Sequence, residues 1–255
     1  MRASNFVTLA AAMSLLGCAN GDASTSGVES VDTPISESAP SPCKGKGPDV
    51  LLCADFDDGS VSTLSAVGFG GGTVAPTQLR SVSAPYSLHM RTVSGSQAAA
   101  ALLLSKAPFA VDRIQVDADV TVVPVGGVDA VGGESSSLLR LPVMDRSAAI
   151  GAFFVHYVKS SRELFLVAHS EQVGEVGRVS LGAAPVGFFH LRAELAPAGG
   201  GGAFAQVTLN DRSPKSVTIN ATPVGALQYS LEVGLDVPSA SPFEAFIDNV
   251  MVRAK

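Results

Sequence analysis

From Arg113 to Val122 this 255-residue chain swaps polar and apolar residues at every position. Ile114, Val116, Ala118, Val120 and Val122 fall on one side, and Arg113, Gln115, Asp117, Asp119 and Thr121 on the other. A repeat of two belongs to an extended strand, whose side chains point alternately to opposite faces. The segment therefore predicts a strand with one face on a core and one in water. The pattern recurs. Phe189, Leu191, Ala193 and Leu195 alternate with Phe188, His190, Arg192 and Glu194, and Tyr229, Leu231, Val233 and Leu235 alternate with Ser230, Glu232 and Gly234. Turn residues bound further predicted strands at 50–56, 87–93, 137–141, 149–158, 163–169, 178–181, 204–210, 217–220 and 243–252. Gly199 to Gly202 predicts the loop of a hairpin. The stretch 97–104 has the Ala and Leu content of a helix but no polar face at helical spacing, and it reads as a buried strand. Many short strands, regular turns and no convincing helix predict an all-β fold of two packed antiparallel sheets, occupying residues 43–255.

Upstream of that domain the chain changes character. Phe6 to Leu16 is an apolar run of 11 residues, shorter than the roughly 20 that a membrane-spanning helix requires. It closes on Leu15-Leu16-Gly17-Cys18, which resembles the lipobox of bacterial lipoproteins. The resemblance implies that residues 1–17 are an export signal and that Cys18 carries lipid after cleavage. Several acyl chains on one residue make a stable tether, which would be the chain's only contact with a membrane. Ala19 stands where that family's inner-membrane retention residue is Asp, which implies the outer membrane. An ordinary N-terminal amphipathic helix, or plain secretion with cleavage elsewhere, are the alternatives. Residues 18–42 are rich in Ser, Gly, Ala, Pro and acid with no aromatic residue, and predict a disordered linker. Its mean reach as a coil is roughly 25–30 Å.

Charge excludes one class of partner. The chain carries a formal net charge of −6, and the domain holds 19 acidic against 16 basic residues. With no basic stripe, nucleic acid is not an expected partner. Once Cys18 is assigned to lipid, Cys43 and Cys53 remain, and an oxidising compartment favours a disulfide between them. A metal-binding thiol pair would need two more ligands at usable spacing.

Four segments in order resemble the concanavalin A-like jelly rolls. They are Leu51-Leu52-Cys53-Ala54-Asp55-Phe56-Asp57-Asp58-Gly59, Ala84-Pro85-Tyr86-Ser87-Leu88-His89-Met90, Phe188-Phe189-His190-Leu191-Arg192-Ala193-Glu194-Leu195, and Phe243-Glu244-Ala245-Phe246-Ile247-Asp248-Asn249-Val250-Met251-Val252. The resemblance implies a two-sheet antiparallel jelly-roll sandwich whose concave face often binds polysaccharide. It also implies a structural calcium ion, with Asp248 of the last strand near Asp55 and Asp57. Those two lie two apart on a predicted strand and so would share a face. Oxygen ligands suit calcium; the alternative for each Asp is acceptance from turn amides. The chain departs from the family in having no Trp and only three Tyr. Sugar rings commonly stack on those residues.

Catalytic signatures are weak. Asp117-Ala118-Asp119 has the two-residue step of jelly-roll glucanases but lacks their flanking glutamates. His156 and Tyr157 are neighbours, so on a strand they point to opposite faces and cannot share a groove. The histidines show no metal-binding pairing, and the glycine runs lack the Lys-Ser/Thr of a phosphate loop. The leading expectation is a non-catalytic, surface-anchored domain that binds carbohydrate. Its candidate contacts are Arg113, Gln115, Asp117, Asp119, His190, Arg192 and Glu194. A glycosidase or lyase of jelly-roll fold, and an envelope protein-interaction or adhesion module, are the alternatives.

Overall fold

The computed structural model describes residues 41–93, 99–123, 135–146, 148–222, 225–237 and 242–255. The chain divides into two units, residues 1–33 and residues 34–255. The predicted signal, Cys18 and almost all of the predicted linker lie outside the described residues.

The second unit is built from strands alone among its described residues: β1 (Val50–Ala54), β2 (Leu64–Phe69), β3 (Thr73–Thr77), β4 (Ser87–Arg91), β5 (Ala99–Ser105), β6 (Ile114–Val123), β7 (Ser135–Asp145), β8 (Ala148–Val158), β9 (Glu163–Ser170), β10 (Gly174–Ala183), β11 (Phe189–Pro197), β12 (Ala203–Leu209), β13 (Lys215–Ile219), β14 (Leu227–Tyr229), β15 (Glu232–Val237) and β16 (Glu244–Ala254). They form two antiparallel sheets of eight strands. The first runs β13-β12-β11-β6-β16-β4-β3, with β1 also on β16; the second runs β10-β9-β8-β7-β15-β5-β2, with β14 also on β7. The long β16 holds β6 along one edge. On the other edge its first half pairs with β4 and its second half with β1. This is the expected jelly-roll sandwich.

Alternation sorts the inner faces. From the first sheet Ile114, Val116, Ala118 and Val120 of β6 join Leu191 and Ala193 of β11 and Ile247 and Val252 of β16. From the second, Leu139 and Leu141 of β7, Phe153, Val155 and Tyr157 of β8, and Leu164, Leu166 and Ala168 of β9 close the core. The β11–β12 hairpin turns through the predicted glycine loop. Gly202 there has φ +82°, and a Cβ on it would sit 1.9 Å from the Ile219 carbonyl oxygen, so only glycine fits. The ambiguous apolar stretch becomes β5, with Ala99, Ala100, Ala101 and Leu103 all buried, as a near-continuous apolar run suggests.

Four expectations need correction. β2 and β3 were not predicted: both are short, carry Gly68 or Pro76, and sit at sheet edges, where pairing rather than pattern makes the strand. The regular 229–235 segment is split into β14 and β15, although Tyr229, Leu231, Val233 and Leu235 are all buried as predicted. β1 ends at Ala54 and Phe56 takes φ 58°, so Asp55 and Asp57 do not lie on a strand. Finally, the polar side of β6 is not wet: Gln115, Asp117 and Thr121 are 3%, 4% and 2% exposed. Hydrogen bonds within a polar network make that burial of Gln115 and Asp117 tolerable.

Cys43 and Cys53 are bonded, with Cα atoms 5.7 Å apart. The bridge ties residues before β1 to the sheet. Replacing both cysteines by serine is expected to lower unfolding free energy by about 3 kcal/mol on the chain-entropy account of a short loop. Denaturant titration of wild type and double variant measures it, and wild type in reductant should match the variant.

Candidate functional site

The outer face of the first sheet gathers most of the residues singled out from sequence. His190 of β11 stands opposite Asp119 of β6, and Arg192 opposite Asp117. His190 bridges both acids, with Nε2 3.0 Å from Asp117 Oδ1 and Nδ1 2.9 Å from Asp119 Oδ1. Arg192 Nε donates to Asp117 Oδ1 at 2.8 Å, and Gln115 donates to Asp117 Oδ2 at 2.5 Å. Arg113 and Glu194 are exposed, and Arg113 lies just before β6. The structure thus brings Gln115, Asp117, Asp119, His190 and Arg192 together, bonded chiefly to one another.

That network continues into β16. Its register with β6 slips between Asp248 and Met251, and Asn249 adopts φ 51°. A bulge of this kind re-aims side chains: Asn249 donates to Asp119 Oδ2 at 2.8 Å and accepts from the Ser83 hydroxyl at 2.9 Å. Asp248 accepts from the amides of Val82, Ser83 and Asn249 at 2.8–2.9 Å. It therefore plays the turn-fixing part open to an Asp at the sequence level. Burial raises its carboxyl to about 7 even though those amides pull the other way.

Calcium was expected on Asp55, Asp57 and Asp248. Asp55 accepts from the Ser41 hydroxyl. Asp57 is raised by burial and then by the charge of Asp55, and its Oδ1 is buried without a partner. That orphan oxygen suits a cation, but the Asp248 oxygens already face three amides. Among the described residues no group of three or more His, Cys, Asp or Glu is placed to hold a metal. The three aspartates as arranged do not fit a calcium cage that includes Asp248.

The electrostatics of Asp117 run against a general-acid role for it. Burial pushes its carboxyl up, but hydrogen bonds from His190, Arg192 and Gln115 outweigh this and hold it at about 2. A general acid needs the opposite shift. His190 is raised to about 9 by its hydrogen bonds to Asp117 and then Asp119.

Sequence reasoning did not select the outer face of the second sheet. Two cross-strand rows run over it. In one, Glu232 of β15 faces Arg140 of β7, then Phe154 of β8 and Val167 of β9, with Arg178 of β10 beyond. In the other, Asp236, Ser137, His156 and Phe165 follow one another across the same strands. Arg140 Nη1 donates to both Glu232 oxygens at 3.0 Å, and its guanidinium lies 5.6 Å over the Phe154 ring. Arg178 lies 4.3 Å over Phe165. Phe154 meets His156 edge-on at 5.2 Å. Burial, and then the charge of Arg178, push His156 down to about 4, so it is neutral at pH 7. The 149–158 and 163–169 alternations already placed Phe154 with His156 and Phe165 with His169. With Phe residues on both sides of β8, the pattern did not say which side faced the core.

The two carboxylates of β15 do not form a glycosidase pair. Glu232 and Asp236 are four residues apart on one strand, about 13 Å between α-carbons at about 3.3 Å per residue. A glycosidase holds its carboxyls roughly 5–9.5 Å apart. Tyr157 points into the core opposite His156, and Tyr229 is fully buried. A cavity of about 460 Å3 at a loop end, lined by Ile150, Ser170, Gln172 and Asn220 among others, shares no residue with either face.

No protein-family model matches the chain, and no curated protein matches it. Solved structures do. An endo-β-1,4-glucuronan lyase from the fungus Trichoderma reesei aligns with TM-score 0.60 at 10% identity, covering 81% of this chain and 96% of that one. Alginate lyase Aly36B in complex with alginate tetrasaccharide aligns at 0.55 and 11%, covering 82% and 98%. A carbohydrate esterase from Shiga toxin-encoding bacteriophage phi24B aligns at 0.54 and 15%, covering 81% and 98%. At such identities the likeness establishes the shared sandwich fold.

The His190 cluster carries a pH signature. A histidine whose folded pKa is raised contributes stability that is complete below its unfolded value of about 6.5 and is lost as pH rises through about 9. Asp117, held low, contributes stability above about 3.8 that is lost as pH falls through about 2. Melting temperature is expected to decline between pH 6.5 and 9 in wild type. His190→Gln should flatten that decline and cost about 1 kcal/mol at neutral pH, a small figure because the ring is partly exposed.

Proposed function

We propose that the chain is a lipid-anchored, non-catalytic protein that binds polysaccharide across the outer face of the second sheet. The observation that carries this reading is the make-up of that face. Aromatic rings and fixed hydrogen-bonding heads share one surface over five strands, with Arg140 and Glu232 presenting donors and acceptors beside Phe154. Sugar sites combine an apolar platform with a few well-placed polar groups. Phe154 and Phe165, each with an arginine guanidinium over its ring, supply the apolar part of the surface. The names of proteins with the same sandwich, a glucuronan lyase and an alginate-bound alginate lyase, support a glycan partner by analogy of fold alone.

The first-sheet cluster of Gln115, Asp117, Asp119, His190 and Arg192 fits less well as the contact surface. Its polar atoms are engaged with one another, and a ligand would have to break those bonds. Binding without catalysis is favoured because Tyr157 and Tyr229 are buried, and His89 and His190 are already bonded to Glu244 and to Asp117 and Asp119. A lyase is the second reading, favoured by the neutral His156 in the middle of the face. Lipid on Cys18 completes the proposal by tethering the domain to an outer membrane. Among the described residues no helix is long and apolar enough to cross a membrane.

A glycan array probed with the full chain is expected to give binding to at least one polysaccharide family. Arg140→Ala combined with Phe154→Ala should reduce it at least tenfold, while the ligand is recovered uncut. Release of unsaturated sugar ends would replace the binding reading with the lyase reading. Mass spectrometry of the mature N-terminus is expected to find acyl chains on Cys18, and Cys18→Ala should leave the membrane fraction.

A further inference from the structure

The charged groups on the outer face of the second sheet are not equally occupied. Arg140 is neutralised by Glu232 at 3.0 Å. Among the described residues Arg178 is paired with Glu175 alone, at 3.9 Å, with both side chains about half exposed. It nevertheless has a defined place, its guanidinium 4.3 Å over the Phe165 ring. A guanidinium packed on a ring keeps its N–H edge available, and that edge matches a carboxylate with two parallel hydrogen bonds. Beside it, His156 is the cross-strand neighbour of Phe165. Neutral His156 supplies one donor and one acceptor for hydroxyls and does not add a second charge. The acidic groups Glu232 and Asp236 lie on β15, at the other side of β7 and β8 from β9 and β10. Arg178 thus lies at the β10 side of the face with Glu175 as a loose partner, while the tight Arg140–Glu232 pair and Asp236 lie toward β15.

We propose that Arg178, seated on Phe165 with His156 alongside, forms a subsite for a sugar carboxylate, so that the ligand is a uronate-containing polysaccharide. This rests on the reading that the domain binds polysaccharide through this face. One carboxylate at the β10 end meets the available cation, and the hydroxyls of the next sugars reach the Arg140–Glu232 pair. A neutral glycan would leave the Arg178 edge without its counter-charge. The attraction is partly exposed and so weakens with salt.

Calorimetric titration of the full chain with polyuronate oligosaccharides, and with the same oligosaccharides after carboxyl reduction, tests the assignment. The acidic form should bind about tenfold tighter, equivalent to about 1.4 kcal/mol. Arg178→Ala should remove that preference, so that the acidic and reduced forms bind this variant equally. Arg178→Lys should retain part of it, and a melting curve shows that each variant is folded. Equal affinity for both forms, an acidic preference that survives Arg178→Ala, or a stronger preference for a sulfated polysaccharide would overturn the subsite while leaving glycan binding standing. Failure of every glycan, acidic or reduced, would remove the polysaccharide reading and the subsite with it.

Discussion

The sandwich depends on β16. This final strand pairs with β6 along its length and with β4 and β1 in succession on its other edge. It joins the first strand of the domain, the middle of the chain and the C-terminus in one sheet. Its inward residues Ala245, Ile247, Val250 and Val252 are fully buried. Hydrogen bonds alone would contribute little net stability to such a sheet, because water offers equivalent partners. What holds it is the apolar inner face closing on its counterpart in the second sheet. The Cys43–Cys53 bridge fastens the strand-poor start of the domain to this frame.

The same strand also organises the buried polar chemistry. Its bulge after Asp248 turns Asn249 toward Asp119, and Asp248 gathers the amides of the loop before β4. A polar group buried without a partner is costly. Here Gln115, Asp117, Asp119, His190, Arg192 and Asn249 satisfy one another across three neighbouring strands. These bonds tie β11, β6 and β16 to one another. On the second sheet Arg178 has the looser Glu175 pair at 3.9 Å, and among the described residues His156 has ring contacts with Phe154 in place of a hydrogen bond.

The contrast between the two outer faces governs the functional reading. Both mix charge with aromatic groups, so composition does not separate them. They differ in commitment. On the first sheet a histidine between two aspartates gives an internal ion pair. On the second, the guanidiniums of Arg140 and Arg178 lie over phenylalanine rings, and Arg178 has its counter-charge at 3.9 Å. A surface that binds must offer something its own neighbours have not already taken, and the β7–β10 face does.

The sequence by itself determined that the domain is a run of antiparallel strands, most of their positions, the pairing of Cys43 with Cys53, and the inner face of β6. These follow from local rules: a period of two, turn residues, and two cysteines close together at the start of the domain. It also showed that His156 and Tyr157 could not work together, because adjacent strand residues point apart. Tertiary structure alone decided which polar residues were buried and which were open. Alternation names two faces but not what lies against each, so the side of β6 that looked wet became the inside of a hydrogen-bonded cluster. Pairing across β15, β7, β8, β9 and β10 brings Glu232, Arg140, Phe154 and Arg178 into one row from positions far apart in the chain. No local pattern encodes such a row, because register between strands is fixed by the packing of the whole sheet.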